Sequence, residues 1–378
     1  MKIAMIGLRG IPHTYGGGEE FALHLAPRLV TRGHDVTVYC RSAYFPDRAP
    51  TWQGVRRIFY PTPEHKSLGQ FVHSAFGMID AVIRRPHIIY VHTLPSGPHT
   101  LLPWILRRRV VVNVNGMDWA RAKWGPVGRA YFHASARIVL RTATAIVNDS
   151  EAMQEYYRKR FGRDSFFIAY GAEIRESRHP EVLTKYGLEP RQYYLIASRL
   201  VPENNADLIL EAFTRTNSER QLVVAGTANY RNPWVEALLA TEDPRVRFLG
   251  HVGNPEHMIE LHCNCYAYLH GHSLGGTNPA LLKALGCGNL VVALDTPFNR
   301  EVLSNSTGAT FGVLFPKDPA ALAETLTRLD RDEDTAARFR ALAPERIRDT
   351  YTWDAITDKY ERMFLDVLER GQPGIRLP

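Results

Sequence analysis

The chain has 378 residues, 45% of them hydrophobic and 22% charged, which is ordinary for a soluble globular protein of two or three domains. Its formal charge of +7 points toward an anionic partner, and the lack of a nucleic-acid reading motif argues against nucleic acid. The longest uncharged stretch, Pro86–Leu106, contains Pro95, Pro98 and Pro103 and cannot be one membrane helix.

The chain opens on the apolar strand pattern Lys2–Ile6, not on a secretory leader, so a cytoplasmic protein is expected. An amphipathic helix over Glu19–Arg32 follows, then strands at Val36–Cys40, Val55–Tyr60, Ile88–Val91, Val110–Val114 and Ala145–Asn148, with helical stretches between most of them. Short apolar strands separated by helices predict parallel βαβ units. Composition changes near Glu173–Pro190, and the scheme then repeats. Tyr193–Ala197, Leu222–Ala225, Val246–Leu249, Tyr266–Leu269 and Leu290–Leu294 read as strands. Asp207–Phe213, Pro233–Ala240, Pro279–Gly286 and Ala320–Leu329 read as helices. The fold class is α/β, with two Rossmann-like doubly wound domains at 1–178 and 179–352. The final helix, about 353–370, is free by pattern to complete the first domain.

Of the four cysteines, Cys263 and Cys265 fall in what reads as a buried strand. No disulfide framework is visible, and His257 and His262 are the nearest residues for a zinc site. Reduced core thiols and no metal are expected. Between Arg107 and Arg141 eight Lys or Arg residues accompany one acid, Asp118, and alternate with Trp104, Trp119, Trp124, Tyr131 and Phe132. This pattern suits either an anionic membrane surface or a solvated helix face over buried aromatics.

Two strand–loop–helix junctions are suited to phosphates, because open α/β sheets bind ligands at strand carboxyl ends and helix N-termini. The first is Gly7-Leu8-Arg9-Gly10-Ile11-Pro12-His13-Thr14-Tyr15-Gly16-Gly17-Gly18-Glu19. It lacks the G-x-G-x-x-G spacing, and Cys40-Arg41-Ser42 stands where a ribose-binding acid would end the second strand, which disfavours hydride transfer with NAD. The second is His270-Gly271-His272-Ser273-Leu274-Gly275-Gly276-Thr277-Asn278-Pro279, with Pro279 suited to the first helical turn. Arg199 follows its strand at once, and an arginine there can pair with phosphate oxygens or form a domain-interface salt bridge.

Taken together, the chain resembles glycosyltransferase family 4, with the GT-B fold of two Rossmann-like domains facing across a cleft, and within it the bacterial rhamnosyltransferase-like branch. The stretches that carry the resemblance include Gly7–Pro12 with Tyr15-Gly16-Gly17, Trp119–Trp124, Asn148–Glu151, Tyr170–Glu173, Pro202–Asn205, and Gly271–Ser273 with Asn278-Pro279. The resemblance implies metal-independent transfer of a sugar with retained configuration, from a donor held by the second domain to an acceptor held by the first. No cofactor is implied beyond a dTDP- or UDP-linked co-substrate. The best match for the sugar is L-rhamnose, and for the acceptor a lipid-linked or nascent surface polysaccharide at the inner face of the plasma membrane. The candidate catalytic residues are Arg199, Asp118 and His92. The donor candidates are Gly16, Gly17, Gly18, Thr227, His272, Gly275, Gly276, Thr277, Asn278 and Lys283, and the acceptor candidates are Trp119, Arg121 and Lys123.

The sequence departs from the family pattern at three points. Asn204 stands where many relatives have Lys, Lys283 where a ribose-binding Glu is usual, and Asn115 where His or Asp is common. A lysine cannot accept ribose hydroxyl protons. Lys283 and Asn115 leave open a catalytically weak subunit of a glycan-synthesis complex, while a sugar-nucleotide 2-epimerase on the same fold would want more acid and base groups than the sequence offers.

Overall fold

The structure, a computed structural model, describes residues 1–12, 16–63, 68–114, 119, 124–228 and 233–369. The chain forms two units, one of Met1–Ala169 with Trp353–Pro378 and the other of Tyr170–Thr352. They part before the 178/179 boundary taken from composition.

Unit 1 is built on strands β1 (Lys2–Ile6), β2 (Asp35–Arg41), β3 (Thr51–Trp52), β4 (Val55–Tyr60), β5 (Ile88–Val91), β6 (Val110–Asn113), β7 (Ala145–Asn148) and β8 (Phe166–Phe167), in the order β3-β4-β2-β1-β5-β6-β7-β8. All pairings are parallel except the edge strand β3. β5, β6 and β7 are buried along their whole length, as continuous apolar runs must be when helices cover both faces. The helices are α1 (Gly17–Thr31), α2 (Leu68–Arg84), α3 (Leu101–Ile105), α4 (Pro126–Thr142) and α5 (Glu151–Phe161). α5 opens where the Ser150 hydroxyl accepts from the Met153 N–H at 3.2 Å and ends at Gly162, whose φ of 61° suits glycine.

Unit 2 holds β9 (Tyr193–Ala197), β10 (Gln221–Ala225), β11 (Val246–Gly250), β12 (Ala267–His270), β13 (Leu290–Leu294) and β14 (Val313–Phe315). Their order, β11-β10-β9-β12-β13-β14, is parallel throughout. Its helices are α6 (Ala206–Thr214), α7 (Pro233–Leu239), α8 (Pro255–Asn264), α9 (Pro279–Gly286), α10 (Pro297–Leu303), α11 (Pro319–Asp330) and α12 (Glu333–Arg346). Four of them begin on a polar cap followed by proline: Asn254-Pro255, Asn278-Pro279, Thr296-Pro297 and Asp318-Pro319. The cap side chain takes up an orphan N–H, and proline has none to lose. The C-x-C pair is not in a strand: Cys263 lies in the last turn of α8 and Cys265 caps it, before β12 begins.

The last helix, α13 (Trp353–Glu369), returns to unit 1 and lies along α1. Trp353 stacks on His24 at 4.7 Å and Tyr360 meets Phe21 edge-on at 5.1 Å, while Arg32 pairs with Asp358 at 2.6 Å and Glu361 at 2.8 Å.

Candidate active site

In each sheet the strand order reverses once, between β1 and β5 in unit 1 and between β9 and β12 in unit 2. Loops leaving the two central strands diverge there and open a crevice at the carboxyl edge. In unit 1 the loop after β1 leads into α1, and His92 follows β5. Helix α1 enters against the His92 ring so closely that a Cβ on Gly18 would lie 2.7 Å from it. Phe21, one turn on, stacks on His92 at 5.0 Å. Burial pushes the His92 imidazole down to about 4, so it is neutral at pH 7. Glu19, also buried, accepts the Arg9 N–H at 2.9 Å and lies 3.9 Å from the Arg9 guanidinium. That contact fixes the loop against the first turn of α1.

In unit 2 three strand-end loops are tied together by backbone groups. Leu200 N–H donates to the Thr227 carbonyl at 3.1 Å, joining the loops after β9 and β10. Ser273 donates through both N–H and Oγ to the Glu203 carbonyl at 2.9 Å, and Asn205 Nδ2 donates to the Gly271 carbonyl at 2.7 Å, joining the loops after β9 and β12. Two glycines allow this approach. A Cβ on Gly226 would sit 1.8 Å from the Ser198 carbonyl oxygen, and one on Gly271 2.3 Å from that of Asn204. Asn299 Nδ2 supports the loop from below, donating to the carbonyls of His272 at 3.1 Å and Leu294 at 2.8 Å. The chain then turns at Gly275, whose φ of 131° favours glycine, and enters α9, where Asn278 Oδ1 accepts the Ala280 N–H at 2.9 Å.

The structure thus brings Arg199, Thr227, His272, Gly275, Gly276, Thr277 and Asn278 to one edge of unit 2. Arg199 and Thr227 are exposed, and Thr277 is buried. The Asn204 side chain donates to the Arg199 carbonyl at 2.8 Å and positions the arginine's backbone. His270 and His272 stack at 4.2 Å; burial, then the charge of His272, drives the His270 imidazole well below its ordinary range. Lys283 is half-buried within electrostatic reach of His262, which burial and then that lysine push down to about 3, and of Cys287. Gly16, Gly17, Gly18 and His92 lie together in unit 1. Trp119 is buried there, stacked on His133 at 5.1 Å. Asp118, Arg121, Lys123 and Asn115 lie outside the described residues.

Sequence patterns missed Gly226 and Asn299, and they placed Glu19, Glu203 and Asn205 within the candidate stretches without the contacts these residues make. Of these roles that of Asn205 alone left a signal, since an Asn directly before a helix tolerates the left-handed φ of 49° found there. The others act through contacts between residues distant in sequence.

The loop that carries Arg199 and the glycine-rich loop thus lie side by side at the switch point of the second of two parallel-sheet units. Residues 16–166 match the glycosyl transferase 4-like domain, and residues 181–346 match glycosyl transferases group 1. Solved structures share the fold. HepE from Anabaena, in complex with UDP-glucose, has a TM-score of 0.78 at 18% identity, over 97% of this chain and 100% of that one. Sucrose-phosphate synthase from Thermosynechococcus elongatus has a TM-score of 0.80 at 16% identity, over 98% and 100%. The catalytic domain of starch synthase IV from Arabidopsis thaliana, bound to ADP and acarbose, has a TM-score of 0.76 at 13% identity, over 98% and 99%. No curated protein matches the chain in sequence. The chain belongs to the family 4-like glycosyltransferases of GT-B fold and is a glycosyltransferase.

Proposed function

We propose that the enzyme moves a sugar, L-rhamnose first among candidates, from a nucleoside diphosphate donor to a lipid-linked or nascent surface polysaccharide. Transfer proceeds with retained configuration and without a metal. The observation that carries this is that the loop bearing Arg199 is bonded, through Glu203 and Asn205, to the Gly271–Asn278 loop at the switch point of unit 2. As the bond between the sugar's anomeric carbon and the diphosphate breaks, the electron pair stays on the departing oxygen. The acceptor hydroxyl forms the new bond and gives its proton to the departing diphosphate oxygen. Arg199 and the loop's donors neutralise the growing negative charge, which is stabilisation aimed at the transition state. A nucleoside diphosphate suits this edge, and complexes of HepE with UDP and UDP-glucose lend support. Asp118 and His92 complete the catalytic set in this scheme, with His92 as a neutral imidazole beside the glycines of α1.

Lys283 shapes the choice of nucleotide. With no carboxylate at this position to hold ribose hydroxyls, a donor lacking the 2′-hydroxyl loses least, which favours dTDP-linked sugars. The same lysine supports a second reading, a catalytically weak subunit of a glycan-synthesis complex. Incubating the purified protein with dTDP-, UDP- and GDP-sugars separates the two. Release of nucleoside diphosphate establishes turnover, its absence with every donor leaves the inert subunit, and an epimerised sugar nucleotide points to an isomerase.

A further inference from the structure

Helix α2 turns two faces to different surroundings. His73, Ser74, Gly77, Met78, Ala81 and Val82 are buried, whereas Leu68, Phe71, Phe76, Ile79 and Ile83 are exposed, Ile83 to 71%. At about 100° per residue these five span an arc of roughly 140°, a continuous stripe along the helix. Helix α3 extends it with Leu101, Leu102, Ile105 and the adjoining Leu106, Ile105 being 62% exposed. Helix α2 is held to the turn that leads into α3, where the Phe71 ring lies 4.4 Å from His99, whose Nε2 is 2.9 Å from the Phe71 carbonyl oxygen. Of the 13 exposed large apolar side chains among the described residues, these are 9, so the exposure is concentrated in one patch. A patch of this kind marks an interaction surface.

The charge around it has one sign. Arg84 ends α2 and Arg85 follows it, Arg107 and the half-buried Arg108 and Arg109 follow α3, with Arg109 donating to the Leu368 carbonyl at 3.2 Å, and Arg129, Arg137 and Arg141 lie on α4. The acid on these helices among the described residues is Asp80, which pairs with Arg84 at 2.5 Å. We propose that the outer face of α2 and α3 docks on an anionic lipid bilayer, its aliphatic side chains entering the headgroup region and its arginines pairing with lipid phosphates. An apolar stripe with a basic rim is the pattern of a helix that lies in the interface. No helix among the described residues is long and apolar enough to cross a membrane. A second copy of the chain is disfavoured as occupant, because two arginine-rimmed faces would repel. Three of the aromatics interleaved with the basic residues are turned inward: Trp119 and Phe132 are buried, and the Tyr131 hydroxyl donates to the Pro95 carbonyl at 2.5 Å. The stripe on α2 supplies the apolar half instead.

This inference deepens the proposal of a lipid-borne acceptor, but it uses none of the residues given to donor binding or catalysis. The full chain is sedimented with vesicles of phosphatidylcholine alone or mixed with phosphatidylglycerol, at low and high salt. The expected result is binding to the mixed vesicles only, weakened by salt. An Ile79→Asp, Ile83→Asp variant lowers partitioning by at least about tenfold. An Arg85→Glu, Arg107→Glu variant, both residues being exposed, lowers it by about fivefold or more per residue. Both keep the wild-type melting temperature and rate of donor hydrolysis, which separates lost docking from lost folding. No binding to either vesicle, or equal binding to both, overturns the proposal. So does a concentration-dependent dimer that the double aspartate variant converts to monomer. Vesicle binding that persists in a protein with no transfer activity upholds this surface and strikes only the transfer reaction.

Discussion

The switch points of the two sheets share a topology but differ in chemistry. In unit 1 the strand-end residue His92 is buried, neutral and clamped between Gly18 and Phe21. In unit 2 the strand matching β5 is β12, followed by Gly271, and the exposed Arg199 follows the other central strand, β9, in loops pinned through their backbone carbonyls. One edge is arranged for packing and uncharged hydrogen bonding, the other for an anion. The same strand order therefore serves two roles, set by the residues that the two central strands of each sheet carry at their carboxyl ends.

The largest effect that would break this contrast is at Arg199. Arg199→Ala lowers transfer by about 10²- to 10³-fold, with melting unchanged, as loss of a preorganised donor to developing charge requires. Steady-state kinetics on the variant checks it, and near-normal turnover would remove Arg199 from the mechanism.

Next come the buried histidines. Burial pushes His92 down to about 4 and, with Arg41 nearby, His73 as well; His262 is held at about 3. Each binds a proton more readily in the unfolded chain, whose histidines titrate near 6.5. Their contribution is fully present above about pH 6.5 and is lost as pH falls toward 4, by up to about 3 kcal/mol per residue. Denaturant melts between pH 7 and 4.5 should show this decline, and His92→Gln should make it shallower. A stability unchanged across that interval would mean that these rings are not desolvated.

Gly18→Ala sharpens the account of unit 1. On helix propensity alone the change gains about 1 kcal/mol, but a Cβ 2.7 Å from the His92 ring overpacks the site by about 1–3 kcal/mol. The net result is destabilisation in the wild type and stabilisation in a His92→Ala background. A double-mutant cycle by denaturant unfolding gives the sign directly, and additive changes would show that the two do not touch.

The smallest expected effect is at Lys283. Lys283→Glu narrows the preference for dTDP over UDP by a few-fold to about tenfold, since one restored hydrogen bond contributes about 0.5–1.5 kcal/mol net. Competitive binding of the two nucleotides measures it.

The strands of both sheets were legible where both faces are covered, because Ile88–Val91 and Leu290–Leu294 are then continuous apolar runs. The Cys263–Cys265 segment misled for the same reason: the last turn of α8, its cap and the start of β12 form one buried stretch. Strand β14, three residues long and only partly covered, left no readable period. Arg199 and the Gly275–Asn278 loop were legible because each sits directly beyond a strand. The pairing of Gly18 with His92 and the close approach of Gly226 to Ser198 were not. Both depend on strand order, which brings distant residues together and leaves no mark in local sequence.

Calorimetric titration of dTDP and UDP into the wild type and Arg199→Ala tests the central claim most directly. The account predicts that both nucleotides bind the wild type, dTDP at least as tightly as UDP, and that the substitution weakens each by about tenfold or more, the cost of a lost charge-assisted contact to phosphate. Binding of equal strength to both proteins, or to neither, would contradict it.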